Sequence, residues 1–131
     1  MIPPTRPLSP HLTIYRWQIQ MVSSILHRIT GILLVLGALW ITIELLALAS
    51  GSDAFGVTQQ LQASPIGTAL LLGWTWAFSY HLLNGLRHLL QDVGWGFAVR
   101  RLVCNSWLTV LGSLVLMAAI WLGAIALGGT I

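Results

Sequence analysis

The stretch His81-Leu82-Leu83-Asn84-Gly85-Leu86-Arg87-His88-Leu89-Leu90-Gln91-Asp92-Val93-Gly94 decides how this chain is read. It begins inside an apolar run of membrane length, yet it carries two His, an Arg and an Asp. Ionisable groups in a bilayer are costly, so in such a segment they are candidates for function. Phe78, His81, Gly85, His88 and Asp92 follow one another at steps of three and four, the spacing that sets side chains on one face of a helix. A polar stripe with a glycine in it, running into a membrane, has the form of a wall built to hold something.

The rest of the chain agrees with a membrane setting. It has 131 residues, enough for one domain, of which 56% are apolar and 7% charged. Ordinary soluble domains carry about 25% charged residues. Mean hydropathy is +0.85. The core of such a protein is completed by the lipid bilayer and by partner contacts. Lysine is absent, and the cations are Arg6, Arg16, Arg28, Arg87, Arg100 and Arg101, against Glu44, Asp53 and Asp92. A net charge of +3 spread this thinly forms no patch for nucleic acid, and is better read as membrane topology. The single cysteine, Cys104, excludes an intrachain disulfide and a thiolate cluster, and is expected to be a buried bystander. The first 17 residues are rich in proline and lack the apolar core and small-residue cleavage site of a signal peptide, so they are expected to be extended or irregular and not removed.

Three apolar segments, 29–50, 66–86 and 102–131, approach or exceed the roughly 20 residues a helix needs to cross the hydrocarbon core. The expected fold is an all-α membrane protein with three transmembrane helices. The boundaries are an N-terminal inner segment at 1–22, helices at 23–50, 65–92 and 102–129, an outer loop at 51–64 rich in Gly, Ser, Gln and Asp, and an inner loop at 93–101. Ser23 or Ser24 is the expected cap of the first helix. Every arginine falls in the N-terminal segment, at the opening of the first span, or beside the second connection. The positive-inside rule therefore puts the N-terminus inside and the C-terminus outside. This topology gathers His27, Arg28, Arg87, His88 and Asp92 at the inner surface, with His81 roughly 9 Å deeper at about 1.5 Å per residue.

Each polar group admits more than one role. His81 offers an imidazole to a haem iron, or a hydrogen bond to a neighbouring helix. No second His lies at comparable depth, so a bis-His haem would take its other ligand from another subunit. Gly85, one turn away, allows a flat macrocycle or a helix to approach. Ser24 and Arg28 share a face and suit a quinone carbonyl, while Arg28 and His27 suit haem propionates; a snorkelling arginine beside a cap serine has the same spacing. Arg87, His88 and Asp92 form a possible proton or propionate network, or an ion pair closing a helix. Glu44 receives no role. Gly31, Gly37, Gly67, Gly73 and Gly112 are read as close-packing positions, and most Trp as packing or interface anchors. The chain contains no nucleophile triad, phosphate loop or metal cluster that could transform a soluble substrate by itself.

Three runs in register carry a family resemblance: Arg6-Pro7-Leu8-Ser9-Pro10-His11-Leu12-Thr13-Ile14-Tyr15, then Ser24-Ile25-Leu26-His27-Arg28-Ile29-Thr30-Gly31, then residues 81–92. Together they resemble the cytochrome b subunit of succinate dehydrogenase (respiratory complex II), in its mitochondrial and alphaproteobacterial form. The resemblance spans all three apolar segments. It implies half of a heterodimeric helical membrane anchor in a bacterial inner (cytoplasmic) or mitochondrial inner membrane. It implies a flavoprotein subunit that oxidises succinate, an iron–sulfur subunit, and a sister membrane subunit sharing a haem b. By position it implies His81 as axial ligand to the haem iron, Ser24 and Arg28 at the ubiquinone site, and His27, Arg28 and His88 near the propionates. Electrons from the iron–sulfur subunit would reach ubiquinone at the inner surface, and no succinate-oxidising site would lie in this chain. Gln91 departs from the family, which usually has a bulky apolar or aromatic residue there; the change affects surface packing. A haem-free anchor that only tethers the soluble subunits is the competing reading. An unrelated transporter or channel fragment fits poorly with three spans and no repeat.

Overall fold

The computed structural model describes residues 16–128. Arg6 and the opening run that ends at Tyr15 therefore lie outside the described residues. Four helices follow in order: α1 (Ile19–Ser50), α2 (Ser52–Ala63), α3 (Pro65–Asp92) and α4 (Val99–Ala126). The α1, α3 and α4 helices form an antiparallel bundle in which α3 packs on both of the others.

Local chemistry sets the boundaries. The α1 helix starts at Ile19 behind an extended Gln18, so Ser23 and Ser24 lie inside the helix and do not cap it as expected. Ser23 is instead fully buried against α3. Ser64 caps α3 by accepting from Gly67 N at 3.1 Å, with Pro65 at the first helical position, where its missing N–H costs nothing. The α3–α4 turn runs through Gly94 and Gly96, at φ +88° and +90°, a region open to glycine at no steric cost.

Residues 51–64, read as a loop, hold a helix instead. Gly51 and Pro65 are the breaks anticipated, but the segment between them contains no proline. It has Asp53 in its first turn, where the helix dipole favours an anion. Thr58 is buried where α2 packs on its neighbours.

The interior is the reverse of a soluble core. The fully buried side chains are Ser23, Thr30, Ala77, Ser79, Tyr80, Asn84, Ser106 and Ser113, while leucine and isoleucine line the outside. Small and hydroxyl residues let helices approach closely in lipid, where an apolar exterior is already solvated. Helices α1 and α4 are long and apolar enough to cross a membrane, and none of the most apolar stretch of α1 is buried inside the bundle. The α3 helix equals α4 in length, 28 residues each, but its polar stripe lowers its hydropathy. Cys104 is exposed, not buried, because it lies on the outer face of α4.

Glycine governs the α1–α3 spacing. A Cβ on Gly37 would collide with the Trp74 indole, and one on Gly31 would sit 3.1 Å from His81 Cε1. Gly112 similarly faces Leu83 across α3–α4, whereas a Cβ on Gly73 or Gly85 would meet nothing within 4 Å.

Candidate functional site

The antiparallel packing of α1 on α3 brings together residues separated by more than fifty positions. His81 Nδ1 lies 3.1 Å from the backbone carbonyl oxygen of His27 and 3.3 Å from Thr30 Oγ1. The Thr30 hydroxyl hydrogen is directed to its own helix, at 2.8 Å from Leu26 O and 3.0 Å from His27 O. Both neighbours of Nδ1 thus act as acceptors, so Nδ1 is the donor at this edge of the ring. A ring held this way, with one nitrogen donating to a carbonyl, is the arrangement that orients a metal-ligating histidine and fixes its tautomer.

The His27 ring lies flat on His81, with centroids 3.9 Å apart and planes inclined by 14°. His88 joins from one side, its centroid 5.5 Å from that of His27. His27 Nδ1 is buried and has no hydrogen-bond partner. The three imidazoles thus form one cluster at the end of the bundle that holds Arg28, Arg87, Arg100 and Arg101. The His27 and His81 rings stack with no gap between them.

Beside the cluster, Ser23, Tyr80 and Asn84 form a fully buried network. Tyr80 OH lies 2.9 Å from Ser23 Oγ and 3.1 Å from Ser23 O, and Ser23 Oγ donates to Asn84 Oδ1 at 2.9 Å. These bonds tie α1 to α3 one turn from His81. Tyr80, Asn84 and Thr30 were given no role from the sequence, and Ser23 only that of a helix cap. The available signal was that Tyr80 and Asn84 are spaced four apart in a membrane-length segment, immediately beside the histidine stripe.

The remaining site residues divide. Ser24 is half-buried and Arg28 exposed, one turn apart on α1. Phe78, Gly85, His88 and Asp92 continue the stripe down the open side of α3, with Phe78, His88 and Asp92 exposed. His88 and Asp92 make no ion pair in the described residues. Arg87 leaves the cluster and turns to α4, where Nη1 donates to Ser106 Oγ at 2.7 Å. Asn84 Nδ2 and Arg87 Nε are buried without partners.

This geometry can hold a flat ligand by one imidazole, offer a hydroxyl and a guanidinium to an oxygen-bearing group, and present histidines to an anion. The chain matches the model of the succinate dehydrogenase/fumarate reductase transmembrane subunit over residues 3–120. It is 42% identical over 111 residues to the succinate dehydrogenase cytochrome b556 subunit of Paracoccus denitrificans, covering 85% of each chain. To the subunit of the same name from Rickettsia typhi it is 39% identical, covering 88% of this chain and 90% of the relative. The mitochondrial cytochrome b560 subunit of Sus scrofa is 36% identical, with 86% and 70% covered. The chain belongs to the succinate dehydrogenase/fumarate reductase transmembrane subunit family, among the cytochrome b membrane subunits of succinate dehydrogenase.

Proposed function

We propose that this chain is one of two small membrane subunits that share a haem b and help form the site where ubiquinone is reduced. The observation that carries the reading is the anchored Nδ1 of His81, which leaves Nε2 as the ring nitrogen free to bind a ligand. The open space at Gly85 supports a flat group seated along the same stripe. With His27 stacked on His81, a second ligand to the same group would come from the sister subunit.

In this reading α1, α3 and α4 all span the inner membrane, with the arginine-bearing end inside. Arg16, Arg28, Arg87, Arg100 and Arg101 sit at that end, while Glu44 and Asp53 lie toward the other. The soluble flavoprotein and iron–sulfur subunits dock on the arginine side. A bound haem supplies a one-electron carrier.

The work of this chain's own residues follows from their chemistry. His81 would hold the iron through Nε2, while its Nδ1 contacts with His27 O and Thr30 Oγ1 keep the ring from rotating. His27, Arg28 and His88 offer donors to propionates. The Ser24 hydroxyl donates to one ubiquinone carbonyl oxygen, and the Arg28 guanidinium stabilises negative charge as that oxygen gains electron density. Ubiquinone takes up two electrons from the iron–sulfur subunit and two protons from the inner surface.

The direct test is a dithionite-reduced minus oxidised optical spectrum of the complex purified through a tag on this chain, beside the His81→Ala variant. A b-type signal that disappears in the variant supports the assignment. Full low-spin haem in His81→Ala refutes the ligand. No haem in the wild-type complex, with the soluble partners present, leaves a haem-free anchor.

A further inference from the structure

We propose that the groove between α3 and α4 holds the phosphate headgroup of an anionic phospholipid, anchored by the Arg87 guanidinium. The groove is a cavity of about 230 Å³ at the arginine-bearing end of the bundle. Leu86 and Leu108 supply an apolar wall, Arg87, Gln91 and Asn105 a polar end, and Trp95 of the α3–α4 connection borders it.

Arg87 is short of partners for a cation in this position. Only its Nη1 is engaged, by the neutral Ser106 hydroxyl, whose own proton goes to Leu102 O at 2.8 Å. Its Nε is buried and unpaired. No carboxylate pairs with it in the described residues. A guanidinium in a membrane setting with free donors and no counter-ion calls for an anion, and phosphate matches its fork of donors.

A second charge supports the same occupant. Arg101 is exposed one helical turn before Asn105, on the groove-lining side of α4. Arg101 does not line the groove itself but adds positive charge at the same end of α4, where each basic group near the membrane surface contributes about 1 kcal/mol. The leucine wall selects an amphiphile over free phosphate, because only an acyl chain would use it. An inserted protein segment would need partners for its backbone groups, and this wall offers few.

The test uses the assembled complex in native membranes. Leu108 is replaced by p-benzoylphenylalanine, the membranes are irradiated, and adducts on this chain are weighed by mass spectrometry. The expected result is a phospholipid adduct of the acidic class, reduced about fivefold by Arg87→Gln, the change that loss of one basic contact produces. Gln91→Glu sets a carboxylate in the groove without changing its volume and is expected to reduce the adduct as well; it decides the matter if Arg87→Gln fails to assemble. An adduct to another subunit, no adduct, or an acidic-lipid adduct undiminished by Gln91→Glu overturns the proposal.

Discussion

The imidazoles of His27 and His81 lie face to face at 3.9 Å, while the backbone carbonyl of His27 also accepts from His81 Nδ1 at 3.1 Å. One residue of α1 therefore constrains both the face and the edge of the α3 histidine. Nε2 is the ring nitrogen that remains available, and its direction is fixed by α1 as much as by α3.

Thr30 provides the second acceptor for that edge. Thr30→Val keeps the shape and removes the oxygen. The expected outcome is a folded complex that binds haem about tenfold more weakly, in line with loss of outer-shell support to a metal ligand. Haem titration into depleted complex measures it, and unchanged affinity would show that the His27 carbonyl alone holds the ring.

Arg28→Ala is expected to depress succinate-driven ubiquinone reduction more than succinate oxidation with an artificial acceptor. The motivation is its place one turn after Ser24 at the arginine-bearing end. Steady-state assays of the two activities on the same preparation make the comparison. Equal loss of both would indicate faulty assembly instead.

Gly85 and Gly37 separate two kinds of close approach. A Cβ at Gly37 would collide with Trp74 inside this chain, so Gly37→Ala is expected to cost about 1–3 kcal/mol by overpacking. A Cβ at Gly85 meets nothing in this chain, so Gly85→Leu should leave the chain itself folded yet lower haem content in the assembled complex. Thermal unfolding and haem absorbance of both variants test this. Normal haem in Gly85→Leu would remove Gly85 from the ligand surface.

Ser23→Ala leaves Tyr80 OH and Asn84 Oδ1 without their shared side-chain partner in a fully buried setting. Hydrogen bonds between membrane helices contribute about 1 kcal/mol each, so a loss of about 1–2 kcal/mol is expected. A lowered Tm of the purified complex checks it, and an unchanged Tm would mean that the Tyr80 bond to Ser23 O suffices.

Much of this was legible in the sequence, because membrane spans are announced by composition. Residues 29–50 carry a single charge, Glu44, and residues 102–131 carry none, and a helix is the form in which such an apolar segment satisfies its own backbone in lipid. Helical spacing alone also placed His81, Gly85, His88 and Asp92 on one stripe, since the period depends only on backbone geometry. The connection at 51–64 was misread because its glycines and polar residues suit a turn as well as a surface helix, and burial of Thr58 tips the balance. What only tertiary structure decided is which polar atoms meet across helices. The His27 carbonyl, the Thr30 hydroxyl and the Ser23–Asn84–Tyr80 network belong to the register of α1 on α3. That register depends on how closely Gly31 and Gly37 admit the facing side chains, a distance that no spacing within a single helix encodes. The sequence determined the faces, and the packing of one helix against another determined their partners.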